Sequence, residues 1–423
     1  MPPRHTQAGW SIASQVINSG GNLVLAILVA RSTDAHGFGE WSLCFVGYAI
    51  LTGAVRAALF TPMLLHAAAQ RKNPVGSSTH VSAVGVIGLA ILPLGLAGSL
   101  LAPYGMRGTI LALSLSAPAL LIQDALRFAA FARDRAGSAL TLDAIWLMAQ
   151  VSISAVLVEI SPQPSAAMLT GAWGVGAAVA GVSGLVQLRV HPVVRDAVTF
   201  FSRSRAAFSL LLGEYSVTTG ISQSVPYLVA WAAGLQAVAG LRGGQIMFGP
   251  VNVIVQGLMP TATLRPSSRA AGLKRSFAFV LAWSAAVSAV SISAGGTLLA
   301  VPQSWGASVL GDTWEVASPT FLALAIYSAL RGPITGAQIL LRARRRFLRL
   351  VLMTALVDSP LLVLPFLGAA ESGAAGAAWG LAAAAGVGAI AAVLALWFTI
   401  RSERLPAADS RGSSATKPQR VCG

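Results

Sequence analysis

The stretch THVSAVGVIGLAILPLGLAGSLL, residues 79–101, runs for 23 residues without a Lys, Arg, Asp or Glu. An α-helix of about 20 apolar residues crosses the hydrocarbon core of a bilayer, so this stretch predicts a transmembrane helix. The rest of the 423-residue chain has the same character, with 55% hydrophobic and 10% charged residues. Because a soluble domain contains about a quarter charged residues, the composition predicts a protein embedded in lipid.

Apolar runs of comparable length recur along the whole chain. The twelve predicted spans lie near residues 10–30, 41–68, 79–101, 107–132, 138–159, 166–188, 208–234, 243–263, 276–300, 318–341, 348–370 and 373–399. The first run is about twice as long as the apolar core of a signal peptide, so we interpret it as an uncleaved first span. The predicted fold class is therefore an all-α integral membrane protein of about twelve transmembrane helices.

The distribution of positive charge predicts the topology. Of the 29 Lys and Arg residues, 23 lie at the N-terminus, in the even-numbered connections or in the C-terminal tail. The odd-numbered connections hold three, namely Arg31, Arg107 and Arg242. Since cytoplasmic loops carry the excess of Lys and Arg, we expect both termini in the cytoplasm. The net charge of +15 is spread over many short loops, which argues against a nucleic-acid partner.

A long connection at the midpoint divides the chain into two halves. Its sequence, RVHPVVRDAVTFFSRSRAA at residues 189–207, predicts an amphipathic interfacial helix. The predicted domains are an N-terminal six-helix bundle, a cytoplasmic inter-lobe linker, a C-terminal six-helix bundle and a disordered cytoplasmic tail, at residues 1–190, 191–207, 208–400 and 401–423. The tail is rich in Pro, Ser, Gly and charged residues, a composition typical of disorder.

The two halves carry weakly repeated sequence features in the same order. HGFGEWSL at residues 36–43 follows the first span, and VAGLRGGQIMFGP at residues 238–250 follows the seventh. An Ala-Leu-Arg triplet occurs at residues 125–127 in the fourth span and at residues 329–331 in the tenth. Several transporters are built from parallel repeats with the substrate site at the interface of the halves. We therefore expect two pseudo-repeated bundles around a central cavity.

The chain resembles a known family in its opening and in one later loop. The first span contains several polar residues and is followed by ARSTDAHGFGEWSL at residues 30–43. This opening is similar to the start of the polysaccharide-transporter flippases. In that pattern an Arg closes the first helix and a Gly enters the second, as Arg31 and Gly39 do here. The loop VLGDTWEVASP, residues 309–319, is also similar to that family. These flippases include the O-antigen and teichoic-acid exporters and belong to the multidrug/oligosaccharidyl-lipid/polysaccharide exporter superfamily.

The resemblance implies a fold, a function and a location. The fold is a V-shaped pair of bundles around a central cavity that alternates between inward-open and outward-open states. The function is that of a flippase in the bacterial inner membrane, which moves a polyprenyl-diphosphate-linked oligosaccharide to the outer leaflet for surface polysaccharide biosynthesis. The lipid bilayer and the lipid-linked glycan are then the expected partners, and the resemblance leaves polysaccharide-assembly enzymes open as further partners.

Arginines inside the predicted spans are candidate contacts for an anionic substrate. An ionisable group near the centre of a membrane helix costs about 2.5–3.5 kcal/mol and needs a reason. Arg56 lies fifteen residues before Arg71, about 22 Å along a helix, which predicts a deep position. A guanidinium binds phosphate through two parallel hydrogen bonds; the alternative is an ion pair with a carboxylate on a neighbouring helix. Arg331 has the same two alternatives, a substrate contact or a structural ion pair. Gly332 and Pro333 follow it and predict a kink.

Polar side chains at helical spacing predict that three spans line the cavity. They are Gln15, Asn18 and Asn22 in the first span, Thr218 and Ser222 in the seventh, and Asn252 and Gln256 in the eighth. Polar stripes on apolar spans are expected to face a cavity or another helix rather than lipid. Hydrogen bonding between helices is the alternative interpretation. The helices that carry these stripes are those that the family resemblance places around the cavity.

Two carboxylates are candidates for coupling transport to an ion. Glu214 continues the polar stripe of the seventh span, and Asp358 lies in the eleventh span directly before a Ser-Pro pair. Desolvation inside a membrane favours the protonated form of a carboxylic acid, so either group is a candidate proton acceptor. Asp358 alternatively caps a helix break. Asp124 and Arg127 lie three residues apart on one helix, and we expect them to neutralise each other.

The motif content separates the function classes. The sequence has no P-loop, no HExxH motif and no Cys/His cluster, so we expect no cofactor, no metal site and no enzyme activity. The alternative transport function is a multidrug or cation antiporter of the same superfamily, for which Glu214 is the strongest acidic candidate. A less favoured alternative is a membrane glycosyltransferase or polymerase, since the longest outer loop, residues 301–317, offers Asp312 and Glu315. The flippase is the favoured hypothesis.

Overall fold

The computed structural model describes residues 4–60, 63–64, 77–253, 273–344 and 346–404. The chain in these ranges forms helices joined by short connections, and no β-strand occurs among them. Helices satisfy every backbone N–H and C=O within one segment, which a chain surrounded by lipid requires. Nine helical stretches of the described ranges are long and apolar enough to cross a membrane. The prediction of an all-α membrane fold is confirmed.

Six helices of the first half match the first six predicted spans. They are α1 (Arg4–Ser32), α2 (Ala35–Val55), α3 (Ser77–Leu101), α4 (Tyr104–Ala132), α5 (Ala136–Ile160) and α6 (Ala166–Leu188). Asp34 caps α2 by accepting a hydrogen bond from the Gly37 amide at 2.8 Å. A π-helical turn, Arg56–Phe60, continues α2 beyond Val55.

The second half contains long helices and several shorter ones. They are α7 (Val194–Tyr215), α8 (Ile221–Met247), α9 (Leu273–Ala300), α10 (Gln303–Leu310), α11 (Thr313–Ala317), α12 (Phe321–Ala343), α13 (Phe347–Asp358) and α14 (Pro360–Arg404). A π-helical turn, Ser216–Gly220, joins α7 to α8, and a 3₁₀ turn, Ser318–Thr320, joins α11 to α12.

Glycines divide α8 and α14 into separate spans. Gly234 has φ 80° and ψ −177°, and Gly373 has φ 60° and ψ −133°, conformations that a residue without a Cβ adopts readily. The break in α14 lies between the eleventh and twelfth predicted spans. The break in α8 corrects the sequence analysis, because the segment predicted as an outer connection before residue 243 is helical. Arg242 therefore lies inside α8 and not in a loop.

The two segments predicted to lie outside the bundles are partly helical. α7 begins at Val194 inside the predicted linker and continues into the seventh span, so the prediction of a helix there is confirmed. Its start packs against α3, where the ring centroids of His80 and Phe200 are 5.0 Å apart. At the C-terminus, residues 401–404 continue α14, which corrects the predicted start of the disordered tail. The rest of the tail lies outside the described residues.

Basic residues at helix ends mark one side of the molecule. Arg133 follows α4, Arg189 follows α6, and Arg342 lies in the last turn of α12. We call this the basic side, and we call the other the opposite side. Because successive helices alternate in direction, α2 and α4 begin at the opposite side and end at the basic side.

Three hydrophobic cores show how the two halves meet. A shared core at the opposite side contains side chains of both halves, such as Trp41 of α2 and Phe321 of α12. Two further cores lie at the basic side. One contains Leu126 of α4 together with other residues of the first half and of α7, and the other contains Leu340 of α12 and residues of the second half. The halves are thus joined at the opposite side, whereas the two basic-side cores are separate among the described residues; we call the region between these two cores the cleft.

Close contacts between α2 and α8 close the cleft at the opposite side. A Cβ built on Gly39 would overlap the carbonyl oxygen of Leu235, so the two helix backbones approach as closely as a glycine permits. The Tyr227 hydroxyl donates a hydrogen bond to the Leu43 carbonyl at 2.9 Å. Both contacts join a helix of the first half to a helix of the second half.

Candidate functional site

Four charged side chains meet inside the first half, and we call them the N-half charge cluster: Arg56, Asp124, Arg127 and Asp143. Arg56 Nε lies 2.6 Å from Asp124 Oδ2. Arg127 Nη1 lies 3.9 Å from Asp124 Oδ1 and 4.0 Å from Asp143 Oδ1. Two guanidinium groups therefore neutralise two carboxylates, and their attraction joins α2, α4 and α5. The expected neutralisation of Asp124 by Arg127 is one contact of this larger cluster.

Polar side chains surround the buried end of the cluster. Ser14 Oγ donates a hydrogen bond to Asp143 Oδ2, and Gln123 Nε2 donates to Asp143 Oδ1 at 3.1 Å. Gln15 Oε1 accepts a hydrogen bond from Arg127 Nη2 at 3.1 Å. These hydrogen bonds bring α1 into the cluster, so four of the six helices of the first half contribute to it.

The cluster is buried except for Arg56. The side chains of Arg127 and Asp143 are 4% and 0% exposed, whereas the Arg56 side chain is 44% exposed. A buried charge is tolerated when it is paired, and removal of its partner typically costs 3–5 kcal/mol. Arg127 and the two carboxylates thus hold helices together, while Arg56 is the member that remains accessible.

Arg56 lies toward the basic-side end of α2. It is the first residue of the π-helical turn and comes 21 residues after Ala35, about 31 Å along the helix. The predicted deep position of Arg56 was measured from Arg71, which lies outside the described residues, and it stays a prediction. The predicted alternative of an ion pair with a neighbouring helix is confirmed by Asp124. A contact between Arg56 and substrate stays a prediction.

Tyr215 of α7 lies beside the same part of α2. A Cβ built on Gly53 would overlap the Tyr215 hydroxyl group, so the phenol packs directly on the α2 backbone. Gly53 and Arg56 are three residues apart and therefore share a helix face. Arg56 consequently faces α7, on the side of α2 that meets the second half.

Arg331 occupies a different environment in the second half. It lies 12 residues before the end of α12, about 18 Å along the helix, and it is exposed. Its Nη1 donates a hydrogen bond to the Tyr327 hydroxyl at 3.2 Å, and its guanidinium carbon lies 5.7 Å from the centroid of that ring. Within the described ranges no carboxylate oxygen lies within 4.0 Å of Arg331. Asp358 of α13 is near enough to attract it electrostatically.

The predicted polar stripe of the first span points into the first half. Gln15 bonds Arg127, so the predicted alternative of interhelical hydrogen bonding is what the structure contains at this residue. Asn18 is 6% exposed. Asn22 Oδ1 is buried, and none of the described residues donates a hydrogen bond to it. Cavity contacts of Asn18 and Asn22 stay predictions.

The predicted residues of the seventh and eighth spans are described in part. Ser222 is exposed, and its Oγ donates to the Thr219 carbonyl of its own helix at 2.9 Å. Thr218 lies in the π-helical turn between α7 and α8, with its side chain outside the described set. Asn252 is exposed, and Gln256 lies outside the described residues. Substrate contacts of all four stay predictions.

The two predicted coupling carboxylates lie at different depths. Glu214 is exposed and comes 20 residues before Gly234, about 30 Å along the helix. Since Gly234 adjoins the opposite-side contact at Leu235, Glu214 lies near the basic side. Asp358 is partly buried at the end of α13, 11 residues or about 16 Å from the start of that helix. The coupling roles of both stay predictions.

Comparison with known proteins identifies the fold. No family model matches the sequence, and no curated protein matches it. The structure of the lipid II flippase MurJ in an inward closed conformation matches 93% of this chain and 87% of that chain, with a TM-score of 0.66 and 10% identity. An inward-facing multidrug resistance MATE family transporter of the MOP superfamily matches 94% and 100%, with a TM-score of 0.71 and 11% identity. The chain has the MOP fold.

A third solved structure with the MOP fold widens the range of functions. It is a MOP superfamily transporter from Pyrococcus furiosus, described as having a binding pocket of reverse polarity that suggests a different function. It matches 94% of this chain and 94% of that chain, with a TM-score of 0.61 and 11% identity. Similarities at this level of identity establish the fold alone. The two-bundle arrangement is consistent with it, and the polysaccharide-transporter family stays a prediction.

Sequence reasoning missed two charged residues inside the MOP fold. Asp143 lies seven residues into α5, and the rule that singled out Arg56, an ionisable group in an apolar span, applies equally to it. Arg242 lies inside α8, where its Nη1 donates to Gln245 Oε1 at 3.0 Å. Arg242 Nε is buried and makes no hydrogen bond with any described residue. The predicted seventh span ends correctly at residue 234, but the helix resumes directly after Gly234 instead of at residue 243, and this places Arg242 inside it.

Proposed function

We propose that this chain is a flippase that moves a polyprenyl-diphosphate-linked oligosaccharide from the inner to the outer leaflet of a bacterial inner membrane by alternating access. The MOP fold, shared with structures named as a lipid II flippase and as multidrug transporters, supports a transport function. In this proposal the basic side and both termini face the cytoplasm, as the excess of Lys and Arg favours. The cleft then opens toward the leaflet in which such a precursor is made.

The environment of Arg56 carries the proposal. One edge of its guanidinium is held by Asp124 at 2.6 Å, while 44% of the side chain remains exposed on the face of α2 that meets α7. A guanidinium oriented in this way is preorganised to bind phosphoryl oxygens through parallel hydrogen bonds. The carboxylate of Asp124 fixes the orientation without removing Arg56 from the cleft.

Arg331 supplies a second cation from the other half. It lies about 18 Å from the basic end of α12 and is exposed, and it has no carboxylate within 4.0 Å among the described residues. Arg56 and Arg331 thus place positive charge at two depths, where each would attract an anionic headgroup during its passage. Outward movement of an anion across a negative-inside membrane is favoured by about 2.3 kcal/mol per charge and 100 mV, so the membrane potential assists this direction.

A multidrug or cation antiporter is the second candidate. It is favoured by the multidrug transporters that share the fold and by the exposed carboxylate of Glu214. In the described first half, however, the carboxylates of Asp124 and Asp143 are 7% and 0% exposed and face arginines, so they offer little to a cationic drug. The exposed cations Arg56 and Arg331 disfavour such a ligand further.

A membrane glycosyltransferase or polymerase has less support. The outer segment that would have to hold catalytic groups, residues 301–317, forms the short helices α10 and α11. Trp314 of α11 is 3% exposed and belongs to the shared core, so this segment packs on the bundle. Asp312 and Glu315 lie on that packed segment, which leaves little room for a catalytic domain.

The lipid-linked glycan pool of cells tests the proposed function. Cells that lack this protein are compared after rescue with the wild type, with Arg56→Ala and with Arg107→Ala, a control at the opposite side. We expect polyprenyl-linked oligosaccharide to accumulate on the cytoplasmic leaflet without the protein and to be cleared by the wild type and the control. Arg56→Ala at normal membrane levels should fail to clear it. An unchanged pool together with lost resistance to cationic dyes would support the antiporter and make Glu214 the residue to study.

A further inference from the structure

Two tyrosines contact α2 from the second half of the chain, and only one of them has a hydrogen-bond acceptor. At the opposite side, the Tyr227 hydroxyl donates to the Leu43 carbonyl at 2.9 Å. Near the basic side, the Tyr215 hydroxyl is buried against Gly53 and makes no hydrogen bond with any described residue. Buried hydroxyl groups almost always have a hydrogen-bond partner. The Tyr215 hydroxyl is therefore an unusual donor, since it has no acceptor among the described residues.

The position of this donor is fixed by the α2 backbone. A side chain of any size at Gly53 would overlap the phenol, so Gly53 alone permits the hydroxyl to reach the surface of α2. Arg56 lies on the same face one turn further along and is close enough to Tyr215 to interact electrostatically. A guanidinium and a phenol therefore converge from two different helices on one small region between α2 and α7.

Both side chains lie at π-helical turns. Arg56 is the first residue of the turn Arg56–Phe60, and Tyr215 directly precedes the turn Ser216–Gly220. α7 packs against the turn Arg56–Phe60, and its last residue, Tyr215, packs on Gly53, three residues before that turn. Such turns displace the following residues around the helix axis and occur frequently at functional sites. The contact of Tyr215 with α2 thus lies beside both turns, which favours a built site over a chance contact.

We propose that Arg56 and Tyr215 together bind a phosphoryl group of the transported substrate, a site that extends the proposed flippase function and rests on it. The guanidinium supplies charge and parallel N–H donors, and the phenol supplies one O–H donor to a phosphoryl oxygen. Asp124 holds the Nε edge of Arg56 at 2.6 Å. The phosphoryl group supplies the acceptor that Tyr215 lacks, and it joins α2 to α7 when bound.

The test compares matched single-hydroxyl variants of the full-length protein in lipid nanodiscs. Tyr215→Phe removes the unpartnered hydroxyl and keeps the ring, and Tyr227→Phe removes the partnered hydroxyl at the opposite side. The probe is farnesyl diphosphate, with binding measured by isothermal titration calorimetry and with Arg56→Gln as a third variant. We expect Tyr215→Phe to weaken binding about tenfold and Tyr227→Phe to leave it unchanged, with an equal or larger loss for Arg56→Gln.

The other outcomes separate this inference from the proposed function. If Arg56→Gln abolishes binding while Tyr215→Phe binds as the wild type does, the phenol only packs and the inference is wrong, although the flippase proposal stands. If both Phe variants weaken binding equally, the effect comes from helix contacts in general, and the inference is also wrong. If the wild type does not bind farnesyl diphosphate, the shared site and the proposed substrate class fall together.

Discussion

The Ala-Leu-Arg triplet occurs in both halves, but its arginine has a different environment in each. Arg127 of α4 is 3% exposed and lies between Asp124 and Asp143, with Nη1 at 3.9 and 4.0 Å from their oxygens. Arg331 of α12 is exposed, donates to the Tyr327 hydroxyl, and has no carboxylate within 4.0 Å in the described chain. Identical local sequence therefore gives a structural ion pair in one half and an accessible cation in the other.

The difference shows that packing partners decide the role of an arginine in this fold. In the first half, the buried carboxylates neutralise Arg127 and hold one edge of Arg56, so the net charge of the cluster is zero. In the second half, the nearest acidic group, Asp358, interacts with Arg331 only at a distance. We conclude that the triplet arginine of the first half serves structure, whereas that of the second half supplies accessible positive potential.

The largest expected effect is on stability. Arg127→Leu leaves Asp143 buried without its cationic partner and Asp124 with Arg56 alone, and we expect a loss of about 3–5 kcal/mol of unfolding free energy. Arg331→Leu, the matched change in the second half, removes an exposed cation and should cost less than about 1 kcal/mol. Thermal and denaturant unfolding of both variants in the same detergent measures the contrast. Equal losses would show that the two triplets have equivalent roles.

A smaller effect is expected for the ion pair between Arg56 and Asp124. A double-mutant cycle of Arg56→Gln and Asp124→Asn should give a coupling of about 1 kcal/mol, because the pair is at hydrogen-bonding distance but Arg56 is half exposed. The same cycle between Arg56→Gln and Asp358→Asn, in the other half, should give none. Absence of coupling in the first cycle would mean that Asp124 does not orient Arg56.

The smallest expected effect is on ligand affinity in the second half. Asp358→Asn removes the negative charge nearest to Arg331, so we expect the affinity for farnesyl diphosphate to rise about threefold. Asp312→Asn, at the start of α11, serves as a control of equal charge change and should have no effect. A decrease in affinity with Asp358→Asn would indicate that Asp358 positions Arg331 and does not compete for it.

Most of the fold was predictable, because the physics that determines it acts along the chain. Apolar runs of the length of a bilayer and the alternation of basic connections locate the spans of the first half, although the second begins at Ala35 and not at residue 41. The exception is the segment before residue 243. Its glycines and Arg242 have the composition of a loop, whereas in the structure they belong to a helix whose glycines pack closely, such as Gly244 on Thr320.

The candidate site was predictable only in part, because ion pairs form between helices that are far apart in sequence. Arg56 and Asp124 are 68 residues apart, and no spacing rule connects them. Gln15 was expected to line a cavity, since a polar stripe does not reveal which of two neighbours it faces, and it bonds Arg127 inside the first half. Tyr215 gave no signal at all, because a tyrosine near a membrane boundary is ordinary and its position depends on Gly53.

The central claim is that exposed arginines of the two halves carry an anionic lipid through the cleft. The most direct measurement is transbilayer movement in proteoliposomes of a polyprenyl-diphosphate oligosaccharide with a fluorescent headgroup, followed by dithionite bleaching from outside. We predict rapid bleaching of the inner-leaflet label with the wild type and a loss of that phase with the Arg56→Gln, Arg331→Gln double variant. Unchanged bleaching with the double variant, or movement of a cationic dye in place of the lipid, would contradict the account.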